Sequence, residues 1–199
     1  MNLNDYSKLC HSASQKWWQN IDTGEPIKRN KGELLALMHS EISECYDGEC
    51  EHAMDDKLVH RYQGEVELVD FQIRAFDYAA GFGHDLNRAG LLIGVSEFQN
   101  LRHLGECAMI AQSDREKLLG KVSSIAFIHS LTSRILENER KGRTRDAENA
   151  LAYVIACVSL CGVYRDYDLQ GAFVEKMEFN RTREDHRHES RKIAGGKQF

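Results

Sequence analysis

Four carboxylates stand at spacings that could do chemistry. Glu41-x-x-Glu44 lies in a stretch whose apolar residues Leu34, Leu35, Leu37, Met38, Ile42, Cys45 and Tyr46 recur at helical intervals. Glu67-x-x-Asp70 lies in a second such stretch, with Val66, Leu68, Val69, Phe71, Ile73 and Phe76. Acids three residues apart share a helix face, and both pairs fall within or beside the apolar stripe, so they are expected to point inward. Four converging carboxylates repel one another and are costly to desolvate, so cations must lie between them. Oxygen ligands without histidine or cysteine favour a hard ion: Mg²⁺, which substrate phosphates commonly help to coordinate, with Mn²⁺ as a substitute. The other reading of such spacing is a pair of solvated helix faces.

The elements that must position these acids are read as helices. The chain has 199 residues, 42% of them hydrophobic, and one proline, Pro26, so nothing beyond it breaks a long helix. An all-α fold is expected. Helical segments are placed at Ser12–Asn20, from Gly32 to a stop at Asp47-Gly48, from Gly64 to Gly83, at about 97–113 and 116–141, from Asp146 to about Tyr164, and from Leu169 to about Arg183. The last residues, 195–199, are expected to be extended or loose. No apolar run approaches the roughly eighteen residues of a membrane span, and Met1–Asn20 lacks a basic start followed by an apolar stretch. A cytoplasmic location away from any membrane is expected, with the six cysteines reduced. Zinc at Cys45, Cys50, His52, Cys157 and Cys161 lacks knuckle spacing.

The chain also echoes itself. Residues 68–86 can be laid without a gap on 151–169, each segment ending in Asp-Leu, and the helix before each carries a His-Ser step, His39-Ser40 and His129-Ser130. In that overlay Glu41, Glu44, Glu67 and Asp70 correspond to Leu131, Arg134, Ala150 and Tyr153, so one half keeps four acids that the other lacks. A single all-α domain is expected: a metal-binding half at 30–90, a degenerate half at 95–168 and a basic tail at 169–199. Residues 171–199 hold 7 Lys and Arg against 5 Asp and Glu, a net +2 that leaves the rest of the −5 chain at −7. A basic tail on an acidic body suits a small polyanion and argues against a nucleic-acid partner.

His39-Ser40-Glu41-Ile42-Ser43-Glu44, Asp55 to Arg61, and Glu65 to Asp70 with Ile73-Arg74 and Asp77 resemble the MazG-like members of the all-α NTP pyrophosphatase superfamily. The tail Glu175 to Arg183, followed by Asp185-His186, Arg191 and Gly195-Gly196-Lys197, is similar to the closing segment of phage-encoded members, which usually carry tyrosine where Phe179 stands. Val59 departs from the proline often found there. The resemblance covers about residues 15–90 and 169–199. It implies hydrolysis of a nucleoside triphosphate between the α and β phosphates, to a monophosphate and pyrophosphate, in control of deoxynucleotide pools.

By that resemblance Glu41, Glu44, Glu67 and Asp70 hold Mg²⁺, and Glu44 or Glu41 takes the proton of the attacking water. Lys176, Asn180 and Arg183 form one helix stripe that would reach phosphates and sugar. Lys57 and Arg61 would reach the β and γ phosphates. A tryptophan, Trp18 or its neighbour Trp17, would stack on a base whose edge Asn30 reads, although paired tryptophans are also core residues. Asp77 would steady Arg74 or Lys176. The fused halves would stand in for part of the dimer of shorter relatives, with a homodimer formed through the remaining faces. Two other classes stay open: a non-catalytic helical nucleotide-binding or interaction module, and an HD-type phosphohydrolase at His84-Asp85, where Asp85 reads equally as a helix cap.

Overall fold

The computed structural model describes the backbone of residues 1–95, 97–111, 114–184 and 188–192, with side chains described outside 111–123 and 188. Its elements are α1 (Leu3–Ser14), a 3-10 turn (Gln15–Trp18), α2 (Lys31–Glu51), α3 (Gln63–Gly81), α4 (Leu86–Leu92), α5 (Leu101–Ala111), α6 (Asp114–Arg140), α7 (Thr144–Arg165), α8 (Leu169–Thr182) and α9 (His188–Lys192). No strand forms among the described residues, only the isolated bridges Gln19–Pro26 and Met54–Tyr62. The protein is an all-α bundle.

Local chemistry explains where these helices begin and end, including where they depart from the sequence reading. The helix expected at 12–20 forms earlier in the chain: α1 starts at a capping box in which Asn2 accepts from the Asp5 N–H and Asp5 accepts from the Asn2 N–H, ends at Ser14, and is followed only by the 3-10 turn. Asp47-Gly48 does not stop α2, which runs another turn and closes at His52 in the left-handed conformation. Gly48 serves close packing instead, since a Cβ there would meet Gln63 of α3 at 2.8 Å. The short α4 has no periodic stripe in the sequence to announce it, and Asp85 starts it as a cap by accepting from the Arg88 N–H, one of the two readings of that residue. Residues 195–199 lie outside the described residues.

Helices α3 and α7 form the centre. Most of their residues are buried, as sheathing on several sides demands. The packing has a two-fold pattern: α1 and α2 lie on α3 as α5 and α6 lie on α7, α2 meets α6, and α3 meets α7. The fourth helix of each half crosses over, α4 onto α7 and α8 onto α3. Asp85 and Asp168, equivalent in the sequence overlay, both cap these crossing helices. His39 and His129, also equivalent, stack across α2 and α6 with Nδ1 atoms 2.7 Å apart. At the centre Gln72 donates to Ser159 Oγ at 2.8 Å and to the Ile155 carbonyl at 3.3 Å. Contrary to the reading that no apolar run approaches that length, α7 has the length and apolarity of a membrane span, and 72% of that window is buried in the bundle, as a core helix would be.

The α5–α7 contact is close because Gly105 has no side chain: a Cβ there would stand 2.5 Å from the Ser159 carbonyl oxygen and 2.9 Å from the Leu160 nitrogen. Backbone cannot step aside as a side-chain tip can. Gly105→Ala gains about 1 kcal/mol of helix propensity but must push two helices apart, at a cost of about 1–3 kcal/mol or more. A lower melting temperature than wild type is expected by calorimetry; an unchanged or higher one would show that the helices part freely.

Candidate metal centre

Glu41 of α2 and Glu67 and Asp70 of α3 meet at the seam between the two helices. Each can offer an oxygen within 4.8 Å of the others, the single group of potential metal ligands among the described residues. Oxygens bound to one ion lie at most twice the metal–oxygen distance apart, about 4.2 Å for Mg²⁺ and about 5 Å for Ca²⁺, so this all-oxygen set suits a hard divalent cation and would draw in by a few tenths of an ångström around Mg²⁺. The cysteines, all free, join no such group.

Two protein cations already compensate part of the charge. Arg74 Nε donates to Glu41 Oε1 at 2.5 Å, and Lys176 Nζ pairs with Asp70 Oδ2 at 2.8 Å, with Glu41 and Lys176 both buried. What they leave uncompensated appears as proton affinity. Burial, then the Asp70 charge and a hydrogen bond shared with Glu41, push the Glu67 carboxyl up to about 9. Burial also raises Asp70 against the pull of Lys176, and raises Glu44 together with the charges of Glu41 and Asp70.

Beside the cluster lies a cavity of about 320 Å³. Glu41, Glu44 and Asp70 line it at one end, and Leu34, Trp17, Arg29 and Asp77 line it elsewhere. Seven residues separate Leu34 from Glu41 on α2 and Asp70 from Asp77 on α3. At 1.5 Å per residue the lining therefore extends roughly 10 Å along the helices, the reach of a sugar and a base. Asn180 of α8 lines the cavity as well, and so does Arg183, which lies in extended backbone just past the end of that helix and so does not continue the expected stripe of Lys176 and Asn180.

Several residues expected at the site sit elsewhere or in other company. Glu44 lines the cavity but stands outside the three-oxygen cluster. Lys176 is buried against Asp70 rather than extended toward the cavity, because α8 crosses over α3 and presses it onto the nearest carboxylate. Lys57 pairs with Asp56 at 2.7 Å, and its charge opposes the upward shift of Glu44. Arg61 does not face the cavity. It grips Glu175 with two hydrogen bonds, 2.8 and 3.0 Å, and Glu65 with a third, clasping α8 to the start of α3. That grip holds the Glu175 carboxyl down at about 2.

Asn30 is not among the residues lining the cavity: its side-chain oxygen caps α2, accepting from the Gly32 and Glu33 N–H groups. Trp18, half-buried, packs edge-on against Phe82 at the margin of the core and donates Nε1–H to Asp77, and Trp17 is the tryptophan that lines the cavity. Asp77 holds His11 and Trp18, not Arg74 or Lys176. His84-Asp85 makes no metal group: His84 Nε2 lies 2.9 Å from Glu139 and Asp85 is a cap.

One cavity residue escaped the sequence reading: Arg29, 7% exposed, lies in a loop, where no periodicity marks it. Arg191 of α9, from the tail segment quoted above and outside the cavity lining, stacks on the Trp17 ring at 4.0 Å. The equivalent place in the other half is closed: Phe127, Cys157, Leu160 and Tyr164 enclose about 10 Å³. Comparison with known protein families, with curated proteins and with solved structures finds no match to this chain.

Glu67 makes stability depend on pH in a direction opposite to an ordinary acid. The folded chain holds its proton up to about pH 9, whereas an unfolded glutamic acid releases it near pH 4.3. Between those values the folded state binds more protons, so metal-free protein loses stability as pH rises, by up to about 1.4 kcal/mol per pH unit. Glu67→Gln removes this contribution, and its urea midpoint should overtake that of wild type between pH 5 and 8.5. Parallel profiles for the two proteins would mean that Glu67 is ionised in the fold.

Proposed function

We propose that this chain is a metal-dependent hydrolase of nucleoside triphosphates, cutting between the α and β phosphates to release a monophosphate and pyrophosphate, in the manner of the MazG-like all-α NTP pyrophosphatases. The observation that carries the reading is the three-oxygen cluster of Glu41, Glu67 and Asp70 opening beside a cavity long enough for a nucleoside. The residue pattern described above supports it from the sequence side. Control of deoxynucleotide pools is the role such a reaction would serve.

Glu41, Glu67 and Asp70 are the residues that would hold Mg²⁺ or Mn²⁺. The bound ion supplies neutralisation of the triphosphate and an acidified water. Phosphoryl transfer asks little covalent help of a protein, so the remaining tasks are alignment and charge. Arg183, at the cavity wall, is placed to bind phosphate oxygens, and Lys57, whose charge is felt at Glu44, adds to the same field. Glu44 lines the cavity outside the cluster with its carboxyl raised, the position and affinity of a group that takes a proton from water. Arg74 and Lys176 act as positioning residues, holding Glu41 and Asp70 while the site is open.

Pyrophosphate release from a panel of deoxynucleoside and nucleoside triphosphates tests the reading. Turnover that requires Mg²⁺ and stops with EDTA is expected, and Glu44→Gln should lower kcat by about 10²–10⁴-fold with metal binding retained. A folded protein that binds nucleotides without releasing pyrophosphate would be a binding module instead.

A further inference from the structure

The two cations that answer the acid cluster are not engaged alike. Lys176 is 2% exposed, and its one ammonium group is buried against Asp70, out of reach of anything in the cavity. Arg74 keeps 39% of its side chain exposed, lines the cavity, and holds Glu41 through Nε at 2.5 Å. A guanidinium carries its N–H groups in one rigid plane, one on Nε and two on each Nη. Among the described residues, no acceptor meets either Nη of Arg74. The charge is therefore fixed at one corner, and its remaining donors stand on the cavity wall.

The place of Arg74 on α3 says which part of a ligand it meets. It follows Asp70 by four residues and precedes Asp77 by three. At 1.5 Å per residue its backbone stands roughly 6 Å along the cavity from the acids and roughly 4–5 Å short of the Asp77 end. Its charge acts on Glu44 and Asp70 toward one end and on Arg29 toward the other. A nucleotide with its phosphates at the acids and its nucleoside toward Trp17 passes Arg74 at the phosphate that joins the two. We propose that Arg74 is a substrate-binding residue: held by Glu41 at Nε, it gives its Nη groups to the phosphate that carries the nucleoside, the one that leaves with the monophosphate product. Only arginine can serve both anions at once, since the single ammonium of a lysine is a point charge. This rests on the nucleotide reading of the cavity and deepens it by giving the α-phosphate a contact of its own, apart from those of the β and γ phosphates.

The test is calorimetric titration of the intact chain, first with Mn²⁺ alone and then, in saturating Mn²⁺, with inorganic pyrophosphate and with the deoxynucleoside monophosphates of adenine, guanine, cytosine and uracil. At least one monophosphate should bind the wild type. Arg74→Met should weaken that monophosphate by about 10- to 100-fold, and Mn²⁺ and pyrophosphate by less than about threefold. Arg74→Lys, which keeps the charge and loses the fork, should show the same selective loss. Loss of Mn²⁺ binding in Arg74→Met would make the residue a support for Glu41 and nothing more. Equal losses of monophosphate and pyrophosphate, or full recovery with lysine, would make it only a charge near the site, and failure of all four monophosphates to bind the wild type would remove its ligand. Each of these results overturns the proposal. Pyrophosphate release from triphosphates, scored separately, keeps the two readings apart. Turnover by the wild type with unaltered monophosphate binding in Arg74→Met overturns this inference alone, and the selective loss without turnover overturns the hydrolase reading alone.

Discussion

Negative charge packed into the seam between α2 and α3 is the constraint around which this bundle is arranged. Glu41, Glu67 and Asp70 converge where helices would ordinarily bury leucines, and uncompensated charges there cost several kcal/mol each. The chain answers with Arg74 from the next turn of α3 and with Lys176 from α8, which reaches the seam only because that helix crosses from the other half. The Arg61 clasp on Glu175 and Glu65 holds α8 in this position. An ion pair that looks local is therefore the reason a distant helix belongs to the site.

The second half supplies the mirror image with the chemistry removed. Leu131 and Ala150 take the places of Glu41 and Glu67, and aromatic and sulfur side chains fill what would be a second cavity. Ile93, the overlay partner of Lys176, falls just beyond α4, a helix half the length of α8. The second half instead buries one acid on α7, Glu148, which Arg88 of the crossing α4 answers. What the halves share is the frame: the capped crossing helices at Asp85 and Asp168, and the stacked His39 and His129 where α2 meets α6. It is the arrangement that an internal duplication would produce.

Much of this was legible in the residues. Helical periodicity and the lack of proline after Pro26 point to the bundle, and the embedding of Glu41, Glu67 and Asp70 in apolar stripes points them inward, because both signals are local and repeat along one helix. What periodicity cannot carry is partner choice. Lys176 lies on an amphipathic helix that could have faced solvent or phosphate, and only the crossing of α8 assigns it to Asp70. Asn30 and Arg61 have side chains that suit ligand contacts and backbone contacts equally, and the local need for a cap or a clasp took both. Arg29 lies in a loop, where spacing says nothing about burial, and α1 and α4 owe their starts to single capping residues that a search for long stripes passes over.

The split fate of the two neighbouring tryptophans has an optical consequence. They are the only two in the chain, so all indole emission comes from Trp17 and Trp18. Trp18 is locked by its hydrogen bond to Asp77 against Phe82, whereas Trp17 lies between the Arg191 guanidinium and the cavity. Trp17 thus meets the cavity directly, whereas Trp18 senses it only through Asp77, which it holds, and a substitution of either isolates the signal of the other. The protein carries two probes of one cavity, at first and at second hand, one residue apart.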